Sequence, residues 1–240
     1  EGYGHTIAAH GAGLRVALGC RVTRVDHSGT RLKIETDKGA IAADMAIVTV
    51  PSSLIAEERI AFTPALPQKI EAAVGVPLGL ADKLFLRLEG AEEFEKDSRL
   101  FGRRDRTATA SYHIRPFGRP LVECYFGGAF AEQLEAVGQR AFADHAISEL
   151  ASVLGSGFAR RVTPIAHHGW RSDPFARGAY SYALPGHADA REVLAAPVEN
   201  RLFFAGEACS RHDFSTAHGA YLTGLAAADQ AIASRRVRVA

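Results

Sequence analysis

Along the first fifty residues apolar and polar side chains alternate. Leu14, Val16 and Leu18 are spaced by two, Val22 and Val25 follow, and Leu32 and Ile34 stand between Arg31, Lys33 and Glu35. A period of two predicts strands. Gly29 and Asp37-Lys38-Gly39 supply turn residues, so residues 21–43 read as an antiparallel meander. Residues 46–50 are a nearly unbroken apolar run that stops at Pro51. Such a run predicts a strand buried on both faces, as in a parallel sheet. Pro64 and Pro67 bracket the start of a short helix that should reach the Gly75 region. Residues 83–88, 107–113 and 121–126 read as strands. Phe142, Ala146, Ile147, Leu150, Ala151 and Leu154 recur at helical spacing and stop at Gly155-Ser156-Gly157. Near the end, residues 201–205 form a short apolar strand that closes on Gly206-Glu207. A helix then starts near Thr216, with Leu222, Leu225, Ala226 and Ile232 as its apolar stripe and Arg235-Arg236-Val237-Arg238 as a basic tail. The pattern is one discontinuous α/β domain built from both ends of the chain, with a second domain inserted between them.

Composition removes several function classes. The chain has 240 residues, 47% apolar and 23% charged, an ordinary globular balance. Lys plus Arg number 28 against 27 Asp plus Glu, a net charge of +1, which argues against a nucleic-acid partner. No apolar run approaches the roughly 18 residues of a membrane span, so no membrane is expected. Cys20, Cys124 and Cys209 are too few and too widely spaced for a disulfide framework, which favours a reduced, cytoplasmic setting. The chain opens at Glu1 without an initiator Met and reads as a piece of something longer.

Common catalytic motifs are absent. No G-x-S-x-G elbow supports a serine nucleophile. Cys209, His212 and His218 match no common metal spacing, and the adjacent His167 and His168 would point to opposite faces of a strand. No metal is expected. No G-x-G-x-x-G or G-x-x-x-x-G-K-[ST] occurs, so a phosphate-binding loop is not in this sequence. More informative is Phe204-Ala205-Gly206-Glu207-Ala208, followed by Ser215-Thr216-Ala217-His218-Gly219-Ala220-Tyr221. A strand ending in Gly206 lets backbone approach a ligand closely, and Glu207 can accept hydrogen bonds from ligand hydroxyls. Ser215 or Thr216 can cap the next helix, whose opening Ala217 and Gly219 leave its N–H groups sterically open.

Those segments, with Gly178-Ala179-Tyr180-Ser181-Tyr182 and Pro197-Val198-Glu199-Asn200-Arg201, resemble the C-terminal signature of the flavin-containing amine oxidases. This is the superfamily of monoamine oxidases, polyamine oxidases and histone lysine demethylases. Cys20-Arg21-Val22-Thr23-Arg24-Val25, Ile47-Val48-Thr49-Val50-Pro51, Phe62-Thr63-Pro64 and Gly79-Leu80-Ala81-Asp82-Lys83 agree with it in order, across nearly the whole chain.

The resemblance implies a fold that is α/β plus α+β. A partial FAD-binding domain of the glutathione-reductase-like kind would come from residues 1–53 and 196–240, with a mixed-sheet substrate domain at 54–195. It also implies roles. Lys83 matches the lysine that holds a water against flavin N5, Trp170 the tryptophan packed near the flavin, and Tyr180 an aromatic wall facing the amine. Such a wall is apolar, yet its π-face tolerates positive charge. Val22 would meet the adenine by its backbone, Glu207 the ribityl chain and Ala217 the pyrimidine edge. Gly206 and Thr216 join them as cofactor-side positions. Where monoamine oxidases carry the cysteine that attaches flavin covalently, this chain has Ala179, so FAD should be held non-covalently. Thr216 replaces the second cage aromatic, leaving the amine pocket half open. The implied reaction is oxidation of a small-molecule amine to an imine, with hydride passing to flavin N5 and O2 yielding H2O2. Two alternatives share these pieces: a related flavin enzyme acting on C–C bonds, and a truncated, non-catalytic substrate-binding module.

Overall fold

The computed structural model describes residues 2–239, with side chains as far as Arg236; Val237 and Arg238 of the basic tail lie outside the described side chains. The elements of the first half are α1 (Tyr3–His10), β1 (Val22–Asp26), β2 (Leu32–Thr36), β3 (Gly39–Ala43), β4 (Ala46–Val48), α2 (Ser52–Ala56), β5 (Ala61–Thr63), α3 (Pro67–Gly75), β6 (Ala81–Leu88) and β7 (Ser98–Phe101). The second half adds β8 (Ser111–Ile114), β9 (Leu121–Gly127), α4 (Gly128–Val137), α5 (Gln139–Leu154), β10 (Val162–His168), α6 (Ala190–Ala195), β11 (Leu202–Phe204) and α7 (Ala217–Val239). They gather into two compact units. One comprises the residues up to Asp44 with Ile60–Ala65, the other Met45–Arg59 with Leu66 onward.

In the first unit, β1, β2 and β3 form the meander that the alternation predicts, and β5 joins β1 in parallel. Val25 and Leu32 are its buried apolar positions. Thr36 fixes the tight β2–β3 turn. Its hydroxyl donates to the Gly39 carbonyl at 2.8 Å and accepts from the Lys38 N–H at 3.1 Å. Upstream the structure corrects the sequence reading. Residues 3–10 are helical, and Leu14, Val16 and Leu18 are exposed outside any strand. Alternation makes a strand only where a neighbouring strand can pair with it, and Gly11, Gly13 and Gly19 interrupt this stretch.

The second unit is built around a five-stranded antiparallel sheet in the order β10-β6-β9-β8-β7. Alternation along β6 and β9 divides its two faces. Leu84, Leu86, Leu88, Val122, Cys124 and Phe126 point inward onto Ala131 of α4 and Phe142, Ala146 and Leu150 of α5. Phe126 and Phe142 meet edge to face at 5.1 Å. Each fully buried Leu or Phe in this layer is worth about 1.5–3 kcal/mol. Lys83, Glu123 and Tyr125 fall on the other face.

Beside this sheet, β4 and β11 pair in parallel, as the apolar run predicts. The expected burial on both faces is not met: Ile47 is exposed, because β11 is the one neighbour of β4 in this sheet among the described residues. The apolar stripe expected on α7 is likewise corrected. Leu222, Leu225 and Ile232 are exposed, and α7 lies on β11 through the small Ala227 against Phe203 and Ala205. Small side chains win that face because they let helix and strand approach closely. Lys69 of α3 closes the layer. Its buried ammonium donates to the carbonyls of Val193 and Leu194 at 2.7 and 2.8 Å and to that of Ala196, and it sits 4.2 Å over the Phe204 ring. Burial pulls this ammonium down to about 8.

The strand expected at residues 107–113 begins only at Ser111, because a buried carboxylate claims the backbone before it. Glu149 of α5 accepts from Thr109 Oγ1 at 2.8 Å, the Ala110 N–H at 3.1 Å, the Arg103 N–H at 3.2 Å and the Tyr112 hydroxyl at 2.6 Å. Gly102 is needed at this spot, since a Cβ there would strike the Glu149 carboxylate and the Thr109 hydroxyl. Burial pushes the Glu149 carboxyl up, but its four hydrogen bonds outweigh that and hold it below its ordinary 4.5. A carboxyl that is the stronger acid when folded stabilises fully above its unfolded pKa and loses that contribution as pH falls through the folded value. Glu149→Ala should cost about 3–5 kcal/mol, because it strands a buried hydroxyl and amide. Urea unfolding at neutral pH measures this, and the gap between wild type and variant should narrow below about pH 4.5.

Candidate active site

The carboxyl ends of β4 and β11, the outer face of β6 and β9, and the segments around Trp170 and Tyr180 enclose one cavity of about 460 Å³. The crevice beyond the carboxyl ends of parallel strands is where open α/β sheets bind ligands. Residues 48–52 leave β4 there, and residues 204–209 leave β11.

Lys83 reaches the cavity from β6, where strand alternation turns it away from the core. Its ammonium pairs with the Glu123 carboxylate on the adjacent β9, and its side chain is 50% exposed. Glu123 Oε2 lies 3.9 Å from His113 Nδ1, and His113 Nε2 lies 3.2 Å from the Asp97 carboxylate. A row of alternating acids and bases therefore crosses the outer face of the sheet to Lys83. Glu123 carries no recognisable motif in the sequence. Only its strand register could have found it: β6 and β9 align Lys83 with Tyr125, which puts Glu123 on the diagonal.

Trp170 lines the same cavity, in the loop after β10. Its backbone N–H donates to Asp82 Oδ1 at 3.3 Å, and its indole meets the His168 ring edge-on at 4.3 Å. Glu135 of α4 fixes the loop, accepting from the Ser172 N–H and hydroxyl at 2.9 and 2.7 Å and from the Arg171 N–H at 3.3 Å. Asp82 is fully buried, its second oxygen has no hydrogen-bond partner among the described residues, and burial pushes its carboxyl up to about 6.

Tyr180 stands on an extended segment tied to residue 79. The Gly79 N–H donates to the Tyr180 carbonyl, and the Ala179 N–H to the Gly79 carbonyl, both at 2.8 Å. The close approach needs Gly178, where a Cβ would come within 2.5 Å of the Leu78 Cβ. The Tyr180 and Tyr125 hydroxyls are 2.8 Å apart. Burial and this bond push the Tyr125 phenol up to about 12, so it stays neutral at ordinary pH. Tyr125 is a second tyrosine on the cavity wall, hidden in the sequence as an ordinary alternating strand residue.

Gly206 follows β11 with φ +135°, and a Cβ there would project into open space. Its N–H and carbonyl both meet the Thr223 hydroxyl of α7 at 3.0 Å. Next to it, Glu207 accepts from the Ser181 N–H at 2.9 Å, the Ser181 hydroxyl at 2.7 Å and the Ser215 N–H at 2.6 Å. The buried Arg191 donates to the Ser181 hydroxyl at 2.8 Å and the Ala208 carbonyl at 3.2 Å. Cys209 also lines the cavity, but burial pushes its thiol up to about 11, which keeps it from serving as a thiolate. Thr216 caps α7 by accepting the Gly219 N–H at 3.0 Å, and Ala217 is the first residue of that helix. Neither lines the cavity, which α7 reaches at Ala220. Val22 belongs to the first unit, on β1, paired with Thr36.

Residues 2–232 match the model of the family described as flavin containing amine oxidoreductase. The chain belongs to that family. It is 32% identical over 237 residues to polyamine oxidase 4 of Oryza sativa subsp. japonica, covering 96% of this chain and 48% of that protein. It is 30% identical over 230 residues to lysine-specific histone demethylase 1 homolog 2 of Arabidopsis thaliana, covering 91% and 31%. A putrescine oxidase variant, solved in a redesign of its cofactor binding, superposes with a TM-score of 0.75 at 19% identity, over 92% of this chain and 50% of that one. The fold is thus the mixed α/β arrangement, with mixed sheets, of the amine oxidases. The chain spans about half the length of the polyamine oxidases it matches.

FAD is the cofactor that family membership carries. The cavity suits the ring end of such a group: its volume is in the ordinary ligand range, most of its lining is apolar, and backbone is bared at Gly206. The pyrophosphate end would need a glycine-rich loop, which this sequence lacks.

Trp170 is the chain's only tryptophan, and its backbone N–H is bonded to Asp82. In a His168→Gln background, which removes quenching by the adjacent imidazole, the indole emission of the flavin-free chain should titrate with a midpoint of about 6. Asp82→Asn should abolish that step; a step that survives it would assign the titration to another group.

Proposed function

We propose that the protein oxidises the C–N bond of an amine and that this cavity is where the amine meets the flavin. One observation carries the reading. Lys83, Trp170, Tyr180, Gly206 and Glu207 come from separate segments of the sequence, yet line a single cavity. In this reading residues 1–53 and 196–240 contribute pieces of the FAD domain and 54–195 the substrate domain, in a reduced cytoplasmic setting.

Non-covalent FAD, when bound, would accept the hydride and pass the electrons to O2, giving H2O2. The residues of this chain supply placement and electrostatics. Tyr180, braced by the Tyr125 hydroxyl, offers a wall on which the amine is oriented. The apolar lining disfavours a charged ammonium, so the neutral amine is the form that reacts and no general base is assigned. Trp170, held by Asp82 and by the Glu135-pinned loop, closes one side against water. Lys83 holds a water by its ammonium, and Glu123 aims that ammonium.

Lys83→Met in the full-length holoprotein tests the reading. Stopped-flow traces should show flavin reoxidation by O2 slowed by about tenfold or more, and reduction by amine slowed less. Equal loss in both half-reactions would make Lys83 a structural residue.

A further inference from the structure

We infer that the amine substrate carries a negatively charged group, a carboxylate by preference, seated on an arginine-lined groove beside the cavity. This deepens the amine-oxidation reading and rests on it. The groove has a volume of about 480 Å³ and shares Tyr125 with the cavity, so that one residue forms part of both walls. Its other side is the loop from β7 to β8, which brings Arg103, Arg104 and Arg106 to the groove.

Of these three arginines, two share a single acid. Asp105 takes a fork from Arg103 at 2.9 and 2.5 Å and lies 3.7 Å from Arg106. Arg104 makes no hydrogen bond or ion pair among the described residues, so a positive charge remains unspent. The loop is anchored, not loose. Glu149 holds the Arg103 N–H, the Thr109 hydroxyl and the Ala110 N–H, and the Gly102 N–H donates to the Ala110 carbonyl at 2.9 Å. Planar guanidinium groups match carboxylate geometry and repel a second ammonium.

The cavity itself points the same way. Among the described residues Glu207 is the one carboxylate lining it, and three donors from Ser181 and Ser215 already occupy it. Glu123, just behind Lys83, is taken by that lysine. Among the described residues no further acid lines the cavity to receive the distal ammonium of a diamine, whereas the groove that shares Tyr125 with it carries free positive charge.

Matched probes test this on the full-length holoprotein: putrescine, and γ-aminobutyrate, in which a carboxylate replaces one ammonium. Wild type should show kcat/KM for γ-aminobutyrate at least about tenfold above that for putrescine, and Arg104→Glu should reverse the preference, mainly through KM. Arg140→Glu, a reversal on the exposed face of α5, should leave the ratio at its wild-type value. A readout independent of turnover is phenylglyoxal labelling of Arg104, mapped by peptide mass spectrometry. γ-Aminobutyrate should slow it at least threefold, and putrescine should not. Preference for putrescine with no effect of Arg104→Glu, or labelling protected by neither probe, overturns the inference alone. Failure of every amine tested to bleach the flavin anaerobically overturns the amine-oxidation reading and this inference with it.

Discussion

The cavity depends above all on the carboxylate of Glu207. Its three hydrogen bonds join the segment carrying Tyr180, the backbone leaving β11 and the entry of α7. Each bond to a charged acceptor of this kind is worth about 1.5–3 kcal/mol. Arg191 balances the charge from behind through Ser181 and the Ala208 carbonyl. Gly178 lets its backbone approach Leu78 and Gly79 closely, and Gly206 holds a φ of +135° that other residues rarely adopt, so main chain does much to shape the space between them.

The second constraint is the two-faced sheet. Its inner face supplies folding energy through Leu, Phe and Val packed on α4 and α5. That frees the outer face to carry groups that fold poorly but bind well: an ammonium, its carboxylate partner, a phenol. Antiparallel sheets support such a division because each strand alternates between faces. Buried polar anchors then extend control to loops beyond the sheet. Glu149 fixes the arginine loop and Glu135 the tryptophan loop, each by satisfying several backbone donors at once.

Much of this was legible in the sequence. The meander, the β6 and β9 strands, the α5 stop at Gly155 and the β11 strand before Gly206 follow from periodicity and turn chemistry. Lys83, Trp170, Tyr180 and Glu207 were reached through ordered motifs. What periodicity missed depends on partners distant in sequence. Leu14 to Leu18 alternate without pairing, and the large apolar residues of α7 lost the inner face to alanines. Tyr125, Glu123 and Glu149 look like ordinary strand and helix residues until register and packing bring them to their partners.

The most direct test of the central role of Glu207 is the flavin content of full-length protein carrying Glu207→Ala, read from the visible flavin band relative to protein absorbance. If this carboxylate organises the cavity, the variant should purify with flavin reduced by about tenfold or more while its far-UV circular dichroism stays as in wild type. A variant that retains stoichiometric flavin with that same unchanged fold would contradict the account.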